Sequence, residues 1–442
     1  MPRRHRHSRS RPRRRRIPRR IFRRIAAVFL LRSFLDPPES LTPECRGGGG
    51  ICQGVRRACW TGCAAGSRQG DTQYFQDFST GNGIPLQNDF FAAFNADALK
   101  RLTVSLAVGL VGVLVFLWAT LPVPWMLGAM SFTVIAALGG LKIGVPRPLR
   151  DISLAIVGSM IGTAFSPAIL DHLATWLAVI LYNYAYLVAV IGTGTLFFMK
   201  ICRQNFTTAF FSSTPGGLME MPFLCDALGG NARFASMAHS VRVVIVVLAV
   251  PLFIRFSEAD SYAERLSVTV TAPELTAVDA LMLVVAAFVG FLCARRARIP
   301  APALVGPILA GVIIHLAGWT EAKPPEGLFS AAQLVVGASI GSYFIGVNLR
   351  QLGVITVYSV VWTVILLAMA AGFASLGARL LDVEFKVLLL ALSPGGQAEM
   401  ALVALFMGIE VPLIATVHIF RSMSIYAIAP VIFRKMEKSR KD

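Results

Sequence analysis

Charged residues are scarce in this sequence. Only 15% of its 442 residues are Asp, Glu, Lys or Arg, whereas an ordinary soluble domain has about a quarter. Hydrophobic residues make up 55%, and the mean hydropathy is +0.65. This composition excludes a water-soluble protein and is typical of an integral membrane protein that crosses the bilayer several times.

Acidic residues are scarcer still, at 24 against 42 basic ones, which gives a net charge of +18. The excess is local, because residues 1–24 contain thirteen arginines and no acid, and the remainder has 29 basic against 24 acidic residues. Basic cytoplasmic loops explain so small a remaining excess. Nucleic acid is therefore not an expected partner.

The first 100 residues lack helical or strand periodicity. A signal peptide is disfavoured, because the apolar patch that follows the arginine block is short and is interrupted by Arg32. An arm that binds anionic lipid or nucleic acid is one alternative. Our hypothesis is that this stretch is translated upstream DNA and that the true start lies near residues 88–98.

Histidine and paired cysteine are also scarce, which bears on metal sites. Four cysteines precede the apolar region without the C-x-x-C pairing of structural zinc sites, and three are scattered within it. The apolar region holds four histidines, well separated in sequence: His172, His239, His315 and His418. A copper or iron oxygenase needs several converging ligands. The sequence therefore predicts no metal, no cofactor and no catalytic residue.

From Leu102 onward the chain is a series of apolar runs, each about the roughly 20 residues that a helix needs to cross a bilayer. They form two sets of six: 102–121, 124–141, 152–170, 173–199, 205–229 and 234–255, then 278–294, 302–319, 328–347, 353–377, 387–411 and 412–433. The sequence therefore predicts an all-α integral membrane protein with about 10–12 membrane segments.

The two sets are copies of each other. P-x-P-x-x-x-G occurs at 122–128 and 300–306, V-G-x-x-I-G at 157–162 and 336–341, and P-G-G-x-x-E-M at 215–221 and 394–400. H-x-x-R follows at 239–242 and 418–421. Motifs held in register indicate a tandem duplication. The first motif predicts kinked or tightly packed helix starts, and the spaced glycines of the second predict helix-packing faces.

The placement of lysine and arginine sets the orientation. Basic residues at 100–101, 142–150 and 200–203 place the first copy's start and its second and fourth loops in the cytoplasm, and the acidic linker then lies outside. Basic residues at 295–298 follow the second copy's first span, which therefore runs inward. Each copy then needs an odd number of crossings, so the Pro-Gly-Gly run is predicted to be broken or re-entrant. Inverted-topology repeats of this kind occur in many secondary transporters.

The predicted organisation has five parts. Residues 1–100 are an Arg/Gly-rich region that is disordered or wrongly assigned. They are followed by a first membrane repeat (101–256), an acidic linker (257–277), a second membrane repeat (278–434) and a basic cytoplasmic tail (435–442).

The duplicated motifs resemble those of the AbrB family of bacterial membrane proteins, also called the AbrB duplication family, over about residues 102–433. Members are often labelled ammonia monooxygenases, and some are linked with regulation of gene expression. The resemblance implies a duplicated, multi-pass protein of the bacterial inner membrane. It does not imply a defined biochemical activity.

Chemistry-bearing residues concentrate in the P-G-G-x-x-E-M and H-x-x-R motifs. Pro-Gly-Gly inside an apolar run favours a helix break, whose unpaired backbone groups must be buried in protein or line a cavity. The break residues are Pro215, Gly216, Gly217, Pro394, Gly395 and Gly396. The candidate substrate- or ion-binding residues are Glu220, His239, Arg242, Ser393, Gln397, Glu399, His418 and Arg421, with Asn183 and Gln333 as further polar candidates.

Two interpretations of this cluster stay open. In the first, each glutamate forms a structural bridge with the arginine of its own copy. In the second, the groups line a cavity in which the arginines hold an anionic group and a Glu or His exchanges a proton. The second copy is expected to be the more sensitive to substitution, because it carries Ser393 and Gln397 where the first has Thr214 and Leu218.

The cavity interpretation predicts a secondary transporter of a small, anionic solute, coupled to protons, in the lipid bilayer. Whether copies of the chain form a homo-oligomer stays open. One alternative is a membrane-embedded sensor that affects gene expression indirectly. A metal oxygenase is the alternative with least support, because the metal ligands are missing.

The charge bias makes the topology testable. Cysteine-accessibility labelling should find the linker Ser257–Asp279 outside, and both Arg295–Arg298 and the C-terminus inside. A cytoplasmic linker would mean parallel repeats with an even number of crossings, and the inverted arrangement would be wrong.

Overall fold

The computed structural model describes residues 95–167, 172–218, 220–257, 276–345 and 349–439, without the side chains of 349–352, 430, 434–435 and 437–439. Most of the Arg/Gly-rich region, the interior of the acidic linker and the end of the basic tail lie outside these residues.

Every element in the described residues is helical, which confirms the predicted all-α class. The first copy contains α1 (Ala96–Trp118), α2 (Ala129–Leu138), α3 (Arg147–Gly162), α4 (Leu173–Lys200), α5 (Phe206–Ser213), α6 (Glu220–Ala227) and α7 (Ala232–Ser257). The second contains α8 (Ala277–Arg296), α9 (Pro302–Leu316), α10 (Glu326–Gly341), α11 (Leu349–Leu381), α12 (Phe385–Leu392), α13 (Gln397–Phe406) and α14 (Val411–Ser439). Seven helices in this part of the chain are long and apolar enough to cross a membrane.

The duplication extends to the backbone. Val123 (φ 45°) and Ala301 (φ 50°), the central residues of the two P-x-P motifs, are both left-handed, and each directly precedes a helical turn that begins with proline. A left-handed conformation is strained for a β-branched residue such as Val123. In the first copy the turn that follows is π-helical, Pro124–Gly128, before α2 begins. Both motifs therefore lie at helix starts with an irregular backbone, in keeping with the predicted kinked or tightly packed helix starts.

The helices divide into two bundles, and each bundle takes helices from both copies. A scaffold bundle consists of α1–α3 and α8–α10, in which α3 packs on α9 and α2 packs on α10. A hairpin bundle consists of α4–α7 and α11–α14, in which α4 contacts α14 and α7 contacts α11. The main contacts between the bundles are those of α3 with α13 and α14. Each bundle is therefore completed by helices of both copies.

Glycines set the spacing inside the scaffold bundle. A Cβ on Gly158 of α3 would collide with the carbonyl of Leu304 on α9. In the second copy, a Cβ on Gly337 of α10 would collide with the carbonyl of Met126, the residue equivalent to Leu304. Such close backbone approach is the usual basis of helix packing in membranes. The glycines of V-G-x-x-I-G are therefore helix-packing residues, as predicted.

The Pro-Gly-Gly run of the first copy is a broken hairpin. Its two helices, α5 and α6, have 8 residues each, so each is about 12 Å long, against roughly 30 Å of hydrocarbon. Beyond the end of α6, the backbone N–H of Asn231 donates to the Thr208 hydroxyl near the start of α5 over 2.9 Å. The two outer ends thus lie side by side, and the segment turns back on itself.

The glycine crossings predict the stability effect of adding one methyl group. Gly337→Ala should lower the melting temperature of the purified protein by several degrees, because the collision with Met126 forces α10 away from the turn that precedes α2, at a cost of about 1–3 kcal/mol. Gly192→Ala is the matched control, because nothing lies within 4 Å of its Cβ position. Equal melting temperatures for the two variants would contradict the proposed packing.

Candidate binding site at the helix breaks

The proline of each break removes a hydrogen-bond donor from the helix before it. In α5 the Phe211 carbonyl would accept from the backbone N–H of residue 215, but Pro215 has none. His239 on α7 supplies the missing donor, with Nε2 3.0 Å from the Phe211 oxygen. In the second copy, His418 Nε2 lies 3.0 Å from the carbonyl of Leu390, four residues before the second proline. The two motifs are thus parts of one hydrogen-bonded unit.

The arginine of each H-x-x-R motif bonds to the break itself. Nη2 of Arg242 donates to the Gly216 carbonyl over 3.3 Å, and Nη2 of Arg421 donates to the Gly395 carbonyl over 3.2 Å. Nη1 of Arg421 also donates to the Ser393 carbonyl over 2.9 Å. Both arginines are buried, at 3% and 2% exposure. They therefore satisfy backbone groups that hydrocarbon could not satisfy.

The two copies differ in how completely these groups are paired. A carbonyl only accepts, so Nε2 of each histidine carries a proton and Nδ1 of the neutral ring is an acceptor. In the second copy, Nδ1 of His418 accepts from Nη2 of Arg421 over 2.9 Å. In the first, Nδ1 of His239 and both Nε and Nη1 of Arg242 have no partner among the described residues. Nε of Arg421 also has no partner there, so the first copy retains the larger set of free groups, two donor nitrogens and one acceptor.

The glutamates lie at the starts of the helices that follow the breaks. Glu399 is the third residue of α13, and its carboxylate lies against Gly396, the capping residue of that helix. The Glu220 carboxylate lies against Gly217 in the same way. A helix N-terminus stabilises a carboxylate at this position. Within the described residues neither glutamate forms an ion pair with an arginine of the site, so the contacts differ from the structural bridges considered above.

A tyrosine on α4 completes the cluster. Tyr186 is fully buried and lies within electrostatic range of Arg242 and Arg421, which are also within range of each other. Its ring packs on Phe373, with centroids 5.3 Å apart. Its hydroxyl has no partner in the described part of the chain, and neither has the side-chain oxygen of Asn183, one turn earlier on the same helix face. The cluster therefore contains charged and polar groups from both copies.

Two of the remaining predicted residues bond to backbone carbonyls. The Ser393 hydroxyl donates to the Leu389 carbonyl of its own helix over 2.5 Å, and the Gln397 amide donates to the His418 carbonyl over 3.0 Å. Gln333 lies on α10 of the scaffold bundle. Sequence reasoning missed Tyr186, because it is one of three tyrosines, at 182, 184 and 186, in one apolar run, and tyrosines in such a run are typical of a membrane interface. The available signal was its spacing of three residues from Asn183.

Comparison with known proteins gives one family. A family model described as "Transition state regulatory protein AbrB" matches residues 125–437. "Putative regulator AbrB" of Escherichia coli (strain K12) is 26% identical over 326 residues, which cover 72% of this chain and 91% of that protein. "Uncharacterized protein YhjN" of Bacillus subtilis (strain 168) is 25% identical over 313 residues, covering 66% of this chain and 79% of that protein. None of these names describes an enzyme.

The unequal pairing of the two arginines predicts unequal effects on stability. Arg421→Gln should destabilise the protein by about 1–3 kcal/mol, because it leaves the Ser393 and Gly395 carbonyls without their donor. Arg242→Gln should have a smaller effect, since Arg242 donates one such bond and lies within range of a like charge. Thermal unfolding of the two variants in detergent measures the difference. A lower melting temperature for Arg242→Gln would contradict this reading.

Proposed function

The chain belongs to the AbrB family, and on this premise we propose that it is a secondary transporter of a small anionic solute in the bacterial inner membrane. The proposal rests on the pair of buried arginines that the two breaks bring together. A charged side chain at membrane depth costs at least about 2.5–3.5 kcal/mol. A second positive charge nearby increases this cost, and a bound anion removes it.

The first copy supplies the anion-binding groups. Arg421 is held by the Ser393 and Gly395 carbonyls and by His418, and among its nitrogens Nε alone has no partner in the described residues, whereas Arg242 has two such nitrogens, Nε and Nη1. We therefore assign anion binding to Arg242 and the positioning of the second break to Arg421. This reverses the sensitivity expected from Ser393 and Gln397, whose polar groups are engaged in hydrogen bonds within the fold.

The two-bundle architecture suits alternating access. The anion site lies in the hairpin bundle, and α3 makes the main contact between this bundle and the scaffold bundle. If the hairpin turns back in the membrane, five helices remain in each copy, an odd number that fits inverted repeats. Seven of these ten are long and apolar enough to cross, so the proposal requires the shorter α2, α3 and α9 to cross as well. Movement of the hairpin bundle along α3 would expose the breaks to each side of the membrane in turn. Proton coupling, through a Glu or His of the cluster, is part of the same proposal.

A membrane-embedded sensor is the second candidate, favoured by the word "regulator" in the name of the Escherichia coli relative. A sensor would use the same arginines to bind an anion, but it would bind without sustained flux. Binding and transport must therefore be measured on the same protein.

Proteoliposomes test the proposal. The protein should carry a radiolabelled carboxylate, found by screening monocarboxylates and dicarboxylates, across the membrane in counterflow. Arg242→Gln should weaken apparent affinity by about 10- to 100-fold, the value of a hydrogen bond to a charged group, with little change in melting temperature. Arg233→Gln is the matched control, because Arg233 is exposed near the start of the same helix.

Two results would go against this proposal. Saturable binding without counterflow would favour the sensor. Unchanged transport by Arg242→Gln would end the assignment of the anion site to this arginine.

A further inference from the structure

The histidine and the arginine of the H-x-x-R motif are hydrogen-bonded to each other in the second copy but not in the first. Nδ1 of His418 accepts from Nη2 of Arg421 over 2.9 Å. His239 and Arg242 have the same spacing on α7, which puts them on one face of the helix. Nδ1 of His239 nevertheless has no partner among the described residues, and neither have Nε and Nη1 of Arg242. The first copy thus lacks a bond that the second copy forms.

Both side chains of the first copy are anchored to the break as in the second. Nε2 of His239 lies 3.0 Å from the Phe211 oxygen, and Nη2 of Arg242 lies 3.3 Å from the Gly216 oxygen. The equivalent distances in the second copy are 3.0 and 3.2 Å. The imidazole and the guanidinium are therefore held at equivalent points, with an acceptor on the first and donors on the second left free.

The first break also differs in the carbonyl that precedes its proline. The Ser393 carbonyl accepts from Nη1 of Arg421 over 2.9 Å. The corresponding carbonyl of Thr214 accepts instead from the backbone N–H of Gly216 over 2.8 Å, so Nη1 of Arg242 loses that partner. A buried polar group is normally hydrogen-bonded. The free groups of the first copy are therefore those that a ligand would complete.

The tautomer of His239 sets what this ligand must carry. Nε2 lies against a carbonyl, which only accepts, so Nε2 has the proton and Nδ1 of the neutral ring accepts. A second proton on the ring is disfavoured, because it would put a positive charge beside Arg242. A ligand that replaces the missing bond therefore donates a hydrogen to His239 and accepts hydrogens from Arg242. A fully ionised oxyanion only accepts, and it would leave Nδ1 unpaired.

We propose, building on the anion transport proposed above, that the bound solute is an oxyanion that retains one acidic O–H, which it donates to Nδ1 of His239 while Arg242 binds its charged oxygen. The two side chains are one helical turn apart, so the donor and the acceptor must lie close together on the ligand. They do so in hydrogencarbonate, in hydrogenphosphate and in short monoprotonated dicarboxylates. The solute then brings its own proton into the site, and His239 is the histidine of the proposed proton coupling.

Asn183 and Tyr186 mark a further difference between the copies. At the offset of 179 residues they correspond to Trp362 and Ile365. Their free oxygens have no hydrogen-bond partner in the described part of the chain, so no contact joins them to the H-x-x-R motif. The ligand contacts are therefore assigned to the histidine and the arginine of that motif.

Matched pairs of ligands test the proposal on the wild-type protein. Calorimetry on the full chain in lipid nanodiscs compares phosphate with sulfate and hydrogencarbonate with nitrate at neutral pH. A third pair is malonate and its monomethyl ester at mildly acidic pH, where malonate retains one O–H. Within each pair the shapes are similar, but only the first member has the O–H. That member should bind at least about 10-fold more tightly in at least one pair, because the other leaves the buried Nδ1 of His239 unpaired.

Histidine variants separate ligand binding from support of the break. His239→Leu removes the acceptor and should reduce the preference to within about twofold. His418→Leu is the matched control, because it removes the equivalent bond to the Leu390 carbonyl but no free acceptor, and it should keep the preference. The amide of His239→Gln both donates and accepts. This variant should retain the preference, even if His239→Leu does not fold.

The outcomes separate this inference from the proposed function. Anion binding that depends on Arg242 but has equal affinities within all three pairs overturns the inference and leaves the anion site in place. A preference that persists in His239→Leu, or that His418→Leu abolishes as well, overturns the role of His239. Absence of binding of every anion, in these pairs and in the carboxylate screen, with the wild-type protein folded, overturns the proposed function itself.

Discussion

The structure depends on how backbone carbonyls next to a proline are satisfied inside a membrane. A proline in an apolar helix leaves the carbonyl four residues earlier without its donor, and lipid offers no substitute. In both copies a histidine from a neighbouring helix donates to that carbonyl over 3.0 Å, and an arginine three residues later donates to the carbonyls of the break. Two broken segments are thereby fixed to two long helices, and two buried arginines come within electrostatic range of each other.

Much of this architecture could be predicted from the sequence, because it depends on local motifs that occur in both copies. The helix breaks follow from Pro-Gly-Gly inside apolar runs, and the helix crossings follow from spaced glycines. The partners of the site residues were harder to predict. Opposite charges in one motif suggest an ion pair, but Glu399 lies at the start of its own helix and Arg421 bonds to carbonyls. Sequence spacing within one copy does not reveal such contacts, because they depend on how helices pack against each other.

Tyr186 illustrates the other limit of sequence reasoning. Its own apolar run indicates no partner for this tyrosine, which comes within electrostatic range of two arginines because α4 packs beside α14. The comparison of the two copies is more informative than either copy alone. Groups that the fold requires occur in pairs, whereas Asn183 and Tyr186 occur once. In a duplicated protein, polar residues without a counterpart in the other copy are therefore the better candidates for contact with a ligand.

The reciprocal packing of the scaffold bundle has a consequence for the origin of the chain. Because α3 meets α9 as α10 meets α2, a half-length protein with these helices could bury the same surfaces against a second copy of itself, as in an isologous homodimer. In such a dimer every substitution appears in both subunits, so a residue useful on one side is imposed on the other. Fusion of the halves ends that constraint and keeps their ratio at one to one. A one-sided cluster such as that around Arg242 requires halves that can vary independently, which a fused gene provides.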